Sequence, residues 1–323
     1  MDRVRVGVIG VGVMGERHCR VYSTLRNVDL VGVADLDVER GRVVAANYDT
    51  HYFADYLQLL KEVDAVSITT TTPAHFVLGM EVLTHNVHVL VEKPLTETLE
   101  QGEQLVAEAE RRGKTLQVGH IERFNPAYLE LKNVIEGKRL IAIDVRRLSS
   151  FDASNTDVDV IRDLMIHDLD LIANLVGHDF EGLTAWGRSI STNTIDHAVA
   201  NFSFKDGPIV TLTASRITEQ KIRSIEVIAE GTYIEVNLLS KSLMLHRRTF
   251  PQYIDNHQPS KYRQESLIEC IHVPTMEPLL LELRHFVDCV KENKPTNVPG
   301  CDGLYALYLA NQVAERANQL NRC

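Results

Sequence analysis

Three glycines constrain the start of this chain more than any other feature. Gly10, Gly12 and Gly15 stand in GxGxxG spacing, directly after the β-branched run of residues 3–9 and directly before a helical pattern over residues 16–25. In a strand–turn–helix setting the first glycine makes the tight turn. The second lets the backbone approach a pyrophosphate, and the third lets helix and strand pack closely. Val13 and Met14 lie inside this loop. The next helix aims its unpaired N–H groups and positive dipole end at the phosphates. A second strand, residues 28–34, ends at Asp35, about 20 residues beyond the glycines, where an acid accepts hydrogen bonds from the adenosine ribose. A carboxylate there repels a 2′-phosphate, so NAD is expected in preference to NADP. Arg40 and Arg42 read as solvated helix charges. A tight turn that binds nothing is the alternative for the glycine loop, and the strand, the helix and Asp35 together argue against it.

The rest of the first 120 residues repeats the alternation. Short buried strands are predicted at 65–68, 87–91 and 115–118, with an amphipathic helix over 99–112 closed by Gly113. Strands alternating with helices imply a parallel sheet with right-handed crossovers. After residue 119 the pattern changes. A helix over 126–135 precedes longer alternating strands at 141–148, 198–204, 209–214, 225–229 and 233–236. Lys205-Asp206-Gly207-Pro208 and Glu230-Gly231 supply tight turns between them. Two helices, about 276–292 and 301–320, close the chain, and residues 249–264 read as a loop. The predicted architecture is an N-terminal doubly wound parallel sheet of Rossmann type, residues 1–120. A C-terminal α+β domain with a mostly antiparallel sheet, residues 121–323, comes after it.

Bulk properties narrow the function. The chain has 323 residues and a formal net charge of −10. Both a nucleic-acid binder and an anionic-membrane binder need a positive field, so neither partner is expected. The five cysteines are scattered and odd in number. They read as free thiols of a cytoplasmic protein, with no disulfide framework and no zinc motif. No metal is expected, since His85 and His88 have no carboxylate or thiol at ligand spacing. No apolar run approaches the roughly 20 residues of a membrane span.

Two further groups carry possible chemistry. Lys93 comes directly after a strand and precedes Pro94, at the strand end where open α/β sheets bind ligands. Taken alone it is better explained as a surface lysine at a strand exit. Asp163, His167 and Asp170 fall at i, i+4 and i+7 of a helical pattern, which makes one polar stripe. That stripe suits either a solvated face or a histidine base oriented by carboxylates.

Together these pieces resemble the glucose–fructose oxidoreductase / inositol dehydrogenase (Gfo/Idh/MocA) family over essentially the whole chain. The likeness rests on the glycine loop, Asp35, Thr72-Pro73-Ala74-His75, Glu92-Lys93-Pro94 and the Asp163/His167/Asp170 spacing. It implies a large open second sheet that forms the contact of a homo-oligomer, dimer or tetramer. It implies cofactor contacts from Thr70, Thr72, Pro73, His75, Glu92 and Lys93. The Lys93–Pro94 peptide is often cis in such proteins, and Lys93 and His167 face the substrate carbon. Histidine is the readier base at neutral pH, with a free pKa near 6.5 against about 10.4 for lysine. His167 is therefore assigned the proton, Asp163 its orientation and Lys93 the reacting oxygen. Exchange of the lysine and histidine roles stays open.

The stretch over residues 157–162 lacks the glycines common in the family, and Ile166 rather than glycine precedes His167. Residues 118–127 and 160–172 are closer to a subgroup acting on nucleotide sugars. The expected reaction is therefore oxidation of a secondary alcohol of a UDP-sugar, at C3 of UDP-N-acetylglucosamine. Arg123 and Arg162 are the candidates for its phosphates, and His120 and Asn125 for its hydroxyls. A free cyclitol or aldose dehydrogenase is the first rival. A non-catalytic NAD-binding regulator is the second, and retention of Lys93 and His167 weighs against it.

Overall fold

The computed structural model describes residues 3–151, 158–248 and 266–319. The glycine loop joins β1 (Val4–Ile9) to α1 (Val13–Thr24), and the alternation continues through β2 (Val28–Ala34), α2 (Val38–Asn47), β3 (His51–Phe53), α3 (Tyr56–Leu60) and β4 (Ala65–Ile68). Next come α4 (Thr72–Thr84), β5 (His88–Glu92), α5 (Leu99–Arg112) and β6 (Leu116–Gly119). The six strands pair in the order β3-β2-β1-β4-β5-β6, all parallel. β4 and β5 are buried along nearly their whole length, as befits central strands of a parallel sheet, and even Ser67 of β4 is buried. The order reverses between β1 and β4, and the crevice beyond the carboxyl ends of those strands is where such sheets bind ligands.

A 3₁₀ turn (Ile121–Phe124) leads into α6 (Pro126–Ile135) and β7 (Leu140–Leu148). A π-helical turn (Ile161–Met165) runs directly into α7 (Ile166–Val176). Then come β8 (Phe180–Arg188), β9 (His197–Phe204), β10 (Ile209–Ser215), β11 (Ile222–Ala229), β12 (Thr232–Asn237), β13 (Ser242–Arg248) and β14 (Ser266–Ile271). With β7 they form one sheet in the order β14-β13-β12-β11-β7-β10-β9-β8, antiparallel apart from the β7–β10 pair. Alternate residues such as Ile143, Val145, Val210, Leu212, Ile225 and Val227 are buried. Trp186, Ile209, Ile228 and Met244 stand exposed on the opposite alternation. β8, β13 and β14 are not evident in the sequence. β8 is an edge strand interrupted by Gly182 and Gly187, which erases its period-two signal. The predicted loop at 249–264 lies outside the described residues.

Helices α8 (Pro278–Glu292) and α9 (Gly300–Gln319) end the described chain. The chain divides into two compact units: Met1–Phe124 with Met276–Leu309, and Asn125–Thr275 with Ala310–Cys323. This differs from the expected division at residue 120, which placed the whole remainder in the second domain. The reason is packing. Leu279, Leu283, Phe286 and Val287 form one stripe of α8 and share a buried cluster with Val4, Val6, Val8, Val21 and Tyr22. The first unit is therefore discontinuous in sequence. Among the described residues no helix is long and apolar enough to cross a membrane. Cys19, Cys270, Cys289 and Cys301 are free thiols, and Cys323 lies outside the described residues.

Candidate active site

In the first unit the glycine loop is shaped by contact and by backbone angle. Gly10 has φ +87°, and a Cβ there would lie 2.6 Å from Thr70 Cγ2. A Cβ on Gly15 would lie 1.9 Å from the Gly10 carbonyl oxygen, so helix and strand approach as closely as glycine permits. At Gly12 a Cβ would meet nothing within 4 Å. Gly12 also caps α1 without any side-chain hydrogen bond. The loop thus presents bare backbone and a helix N-terminus to open space, a cradle that fits a dinucleotide pyrophosphate. Val13 is exposed and Met14 half-buried on the first turn of this helix.

Asp35 ends β2 beside that cradle. Its carboxylate accepts the Val11 N–H at 2.7 Å and the Asp37 N–H at 2.8 Å. Arg40 donates to it from Nη2 at 2.8 Å. Burial alone would raise the Asp35 pKa. The Arg40 hydrogen bond and the two backbone N–H groups outweigh it and hold the acid below its ordinary value. Arg40 is therefore not a merely solvated charge, as the sequence suggests. It is the counter-ion of the acid expected to meet the ribose. No sequence pattern distinguishes it from Arg42.

β4 leads into Thr70 and the start of α4, where Thr72 and Pro73 form the first turn on the same strand-end side. His75 is buried, with Nδ1 2.9 Å from the Pro94 carbonyl oxygen and Nε2 3.1 Å from that of Thr70. It braces the two loops from behind. Lys93 leaves β5 half-buried, and the Lys93–Pro94 peptide is cis. Glu92 points inward to His18 instead of outward. His120 comes after β6, the neighbour of β5, and is fully buried. Burial, then the charges of Arg123 and Lys93, push its pKa down to about 3, so the ring is neutral in ordinary buffers. The Arg123 guanidinium pairs with Asp302 of α9.

In the second unit Asp163 lies in the π turn and His167 in the first turn of α7, both half-buried. Asp170 is buried, so the predicted stripe is not one exposed face. A π turn is wider than an α turn and shifts Asp163 about the axis relative to the residues of α7. Asp168, beside His167, is 2% exposed and joined to Arg147 of β7 by bonds of 2.7–3.0 Å. Arg162 is held by Asp159 and by Asn311, whose Oδ1 accepts its Nη2 at 2.9 Å. Asn125 caps α6 by accepting the Ala127 N–H and donates to the Leu238 carbonyl. Its amide has a structural task at both ends.

Residues 4–120 match the oxidoreductase family with NAD-binding Rossmann fold known as GFO_IDH_MocA, and residues 145–235 match its C-terminal domain. UDP-N-acetylglucosamine 3-dehydrogenase of Acidithiobacillus ferrooxidans is 32% identical over 97% of each chain. This chain belongs to the Gfo/Idh/MocA family. It is an oxidoreductase, and its first unit is an NAD-binding Rossmann domain. The structure of that A. ferrooxidans enzyme, GnnA, superposes with TM-score 0.89 at 31% identity, covering 98% of each chain. The myo-inositol 2-dehydrogenase of Thermotoga maritima is 26% identical, over 95% of this chain and 94% of its own. These Gfo/Idh/MocA relatives are dehydrogenases of sugars and cyclitols.

Proposed function

We propose that the protein uses NAD to oxidise a secondary alcohol of a nucleotide sugar to a ketone, at C3 of UDP-N-acetylglucosamine. The observation that carries this reading is similarity to a dehydrogenase of that substrate through both units, over 97% of each chain. NAD is proposed in preference to NADP because Asp35, held ionised at the end of β2, is the acid expected to meet the ribose hydroxyls. Bound NAD supplies the hydride acceptor. His167 takes the hydroxyl proton as the C–H bond yields its hydride, so the alcohol loses two hydrogens and becomes a ketone. Asp163 orients the imidazole. Lys93 donates to the reacting oxygen and stabilises its developing charge. His120, kept neutral, serves a sugar hydroxyl. The same reading assigns the exposed sheet face around Trp186, Ile209 and Ile228 to contact between copies, as dimer or tetramer. A monomer by light scattering would overturn that assignment.

A free cyclitol is the second reading. Arg123 and Arg162, proposed for the diphosphate, already neutralise Asp302 and Asp159. Incubating the protein with NAD and either UDP-N-acetylglucosamine, UDP-glucose or myo-inositol separates the two, by absorbance of the reduced nicotinamide. Turnover with the first is expected. Turnover with inositol and none with a UDP-sugar replaces the first reading by the second. Lys93→Ala is expected to lower kcat at least about a hundredfold. Full activity would remove Lys93 from the site.

A further inference from the structure

Helix α1 carries a buried histidine that the reaction above leaves unused. His18 is 0% exposed, and its Nε2 lies 3.2 Å from Oε1 of Glu92, which is 8% exposed. The other Glu92 oxygen, Oε2, accepts the backbone N–H of Lys93 at 3.2 Å. Gly119 on β6 makes room for this carboxylate, because a Cβ there would lie only 2.9 Å from Glu92 Cδ. A polar bridge thus runs from the helix that opens at the phosphate cradle to the backbone of the lysine.

Packing alone does not call for this bridge. Replacing a buried ionic pair with apolar groups of similar volume is often neutral or stabilising. The His18 Nδ1 atom is buried with no hydrogen-bond partner among the described residues, which costs about 1–3 kcal/mol. Here one nitrogen is left without a bond and the other is aimed at Glu92. We propose that His18 is a positioning residue for the oxidation. Through Glu92 it fixes the backbone at Lys93, and so holds the amine in register with the dinucleotide seated on α1. Glu92 itself stays ionised. Burial pushes its pKa up, but the hydrogen bond and charge of His18 and the charge of Lys93 bring it below the ordinary value. The inference rests on the reading that Lys93 holds the reacting oxygen.

The test uses the full chain in four variants: His18→Leu, His18→Gln, Glu92→Gln and Lys93→Ala. In His18→Leu, kcat falls about thirtyfold or more, as a small misplacement of a reacting group does. NAD affinity by calorimetry stays within about threefold, because the glycine cradle is untouched. His18→Gln, whose amide N–H reaches the same carboxylate, recovers most of kcat. The rate at which an amine-specific reagent modifies Lys93, read by peptide mass spectrometry, shifts at least about threefold in His18→Leu while the other lysines keep theirs. A His18→Leu protein with wild-type kcat and wild-type Lys93 labelling overturns the proposal. So does parallel loss of NAD affinity and kcat, which would make His18 a support of the cradle alone. Should His18→Leu not fold, Glu92→Gln is read by the same measurements and the same outcomes. Lys93→Ala separates the two levels. If it is inactive while His18→Leu is normal, only the positioning role fails; if it is fully active, the role of Lys93 fails with it.

Discussion

At the scale of single residues, Asp35 joins a set of fold contacts to the ligand role proposed for it. It accepts from Val11 in the glycine loop, from Asp37 and from Arg40. The loop and the helix α2 are therefore tied to the acid proposed to meet the ribose. Asp35→Asn would lose the charge that draws Arg40 and strengthens hydrogen bonds from the ribose. NAD affinity is expected to weaken at least about tenfold, which is about 1.4 kcal/mol. Calorimetric titration with NAD measures it, and an unchanged dissociation constant would show that Asp35 does not meet the cofactor. Asp35 is legible in the sequence because its place is set by covalent spacing from the glycines. Arg40, His18 and the Arg123–Asp302 pair are not. Each is defined by a partner 5, 74 or 179 residues away, and only the fold selects that partner. A charge whose partner is unknown reads as solvated, as Arg40 does.

At the scale of elements, the parallel sheet is legible because strand burial, turn glycines and helix caps all act within a few residues. α7 is legible only in part. Its spacing of Asp163, His167 and Asp170 assumes 3.6 residues per turn, and the π turn at Ile161–Met165 breaks that assumption before α7 begins. What holds α7 is Asp168, which lies between His167 and Asp170 and pairs with Arg147 on β7, each side chain 2% exposed. Removing one partner leaves a buried charge uncompensated. Asp168→Asn or Arg147→Met alone is expected to lower unfolding free energy by about 3–5 kcal/mol. The double replacement Arg147→Met with Asp168→Leu is expected to recover most of that loss, since an apolar pair of similar volume is often neutral. Denaturant titration of the three variants decides it. Additive losses in the double variant would mean that the two side chains are not coupled.

At the scale of the whole molecule, the decisive feature is that the nucleotide-binding unit is not one stretch of chain. The sequence pattern marks a boundary near residue 120 because the strand type changes there, yet completing that core takes a helix that begins at Pro278. Leu279, Leu283, Phe286 and Val287 are buried against residues of β1, β2 and α1. Loss of one large core side chain costs about 3–5 kcal/mol, against a total stability of about 5–15 kcal/mol for a domain. Loss of four together exceeds what the remainder of the unit can absorb. A fragment of residues 1–124 is therefore expected to lack a cooperative unfolding transition and to bind NAD weakly or not at all. Joining residues 276–309 to it through a flexible glycine–serine linker is expected to restore both. Phe124 and His285 are in ring contact at 5.4 Å, so the two pieces already meet close to the junction. Thermal unfolding by circular dichroism and calorimetry with NAD test the fragment and the joined chain alike. A fragment 1–124 that unfolds cooperatively and binds NAD as the full chain does would show that α8 only covers a core already complete.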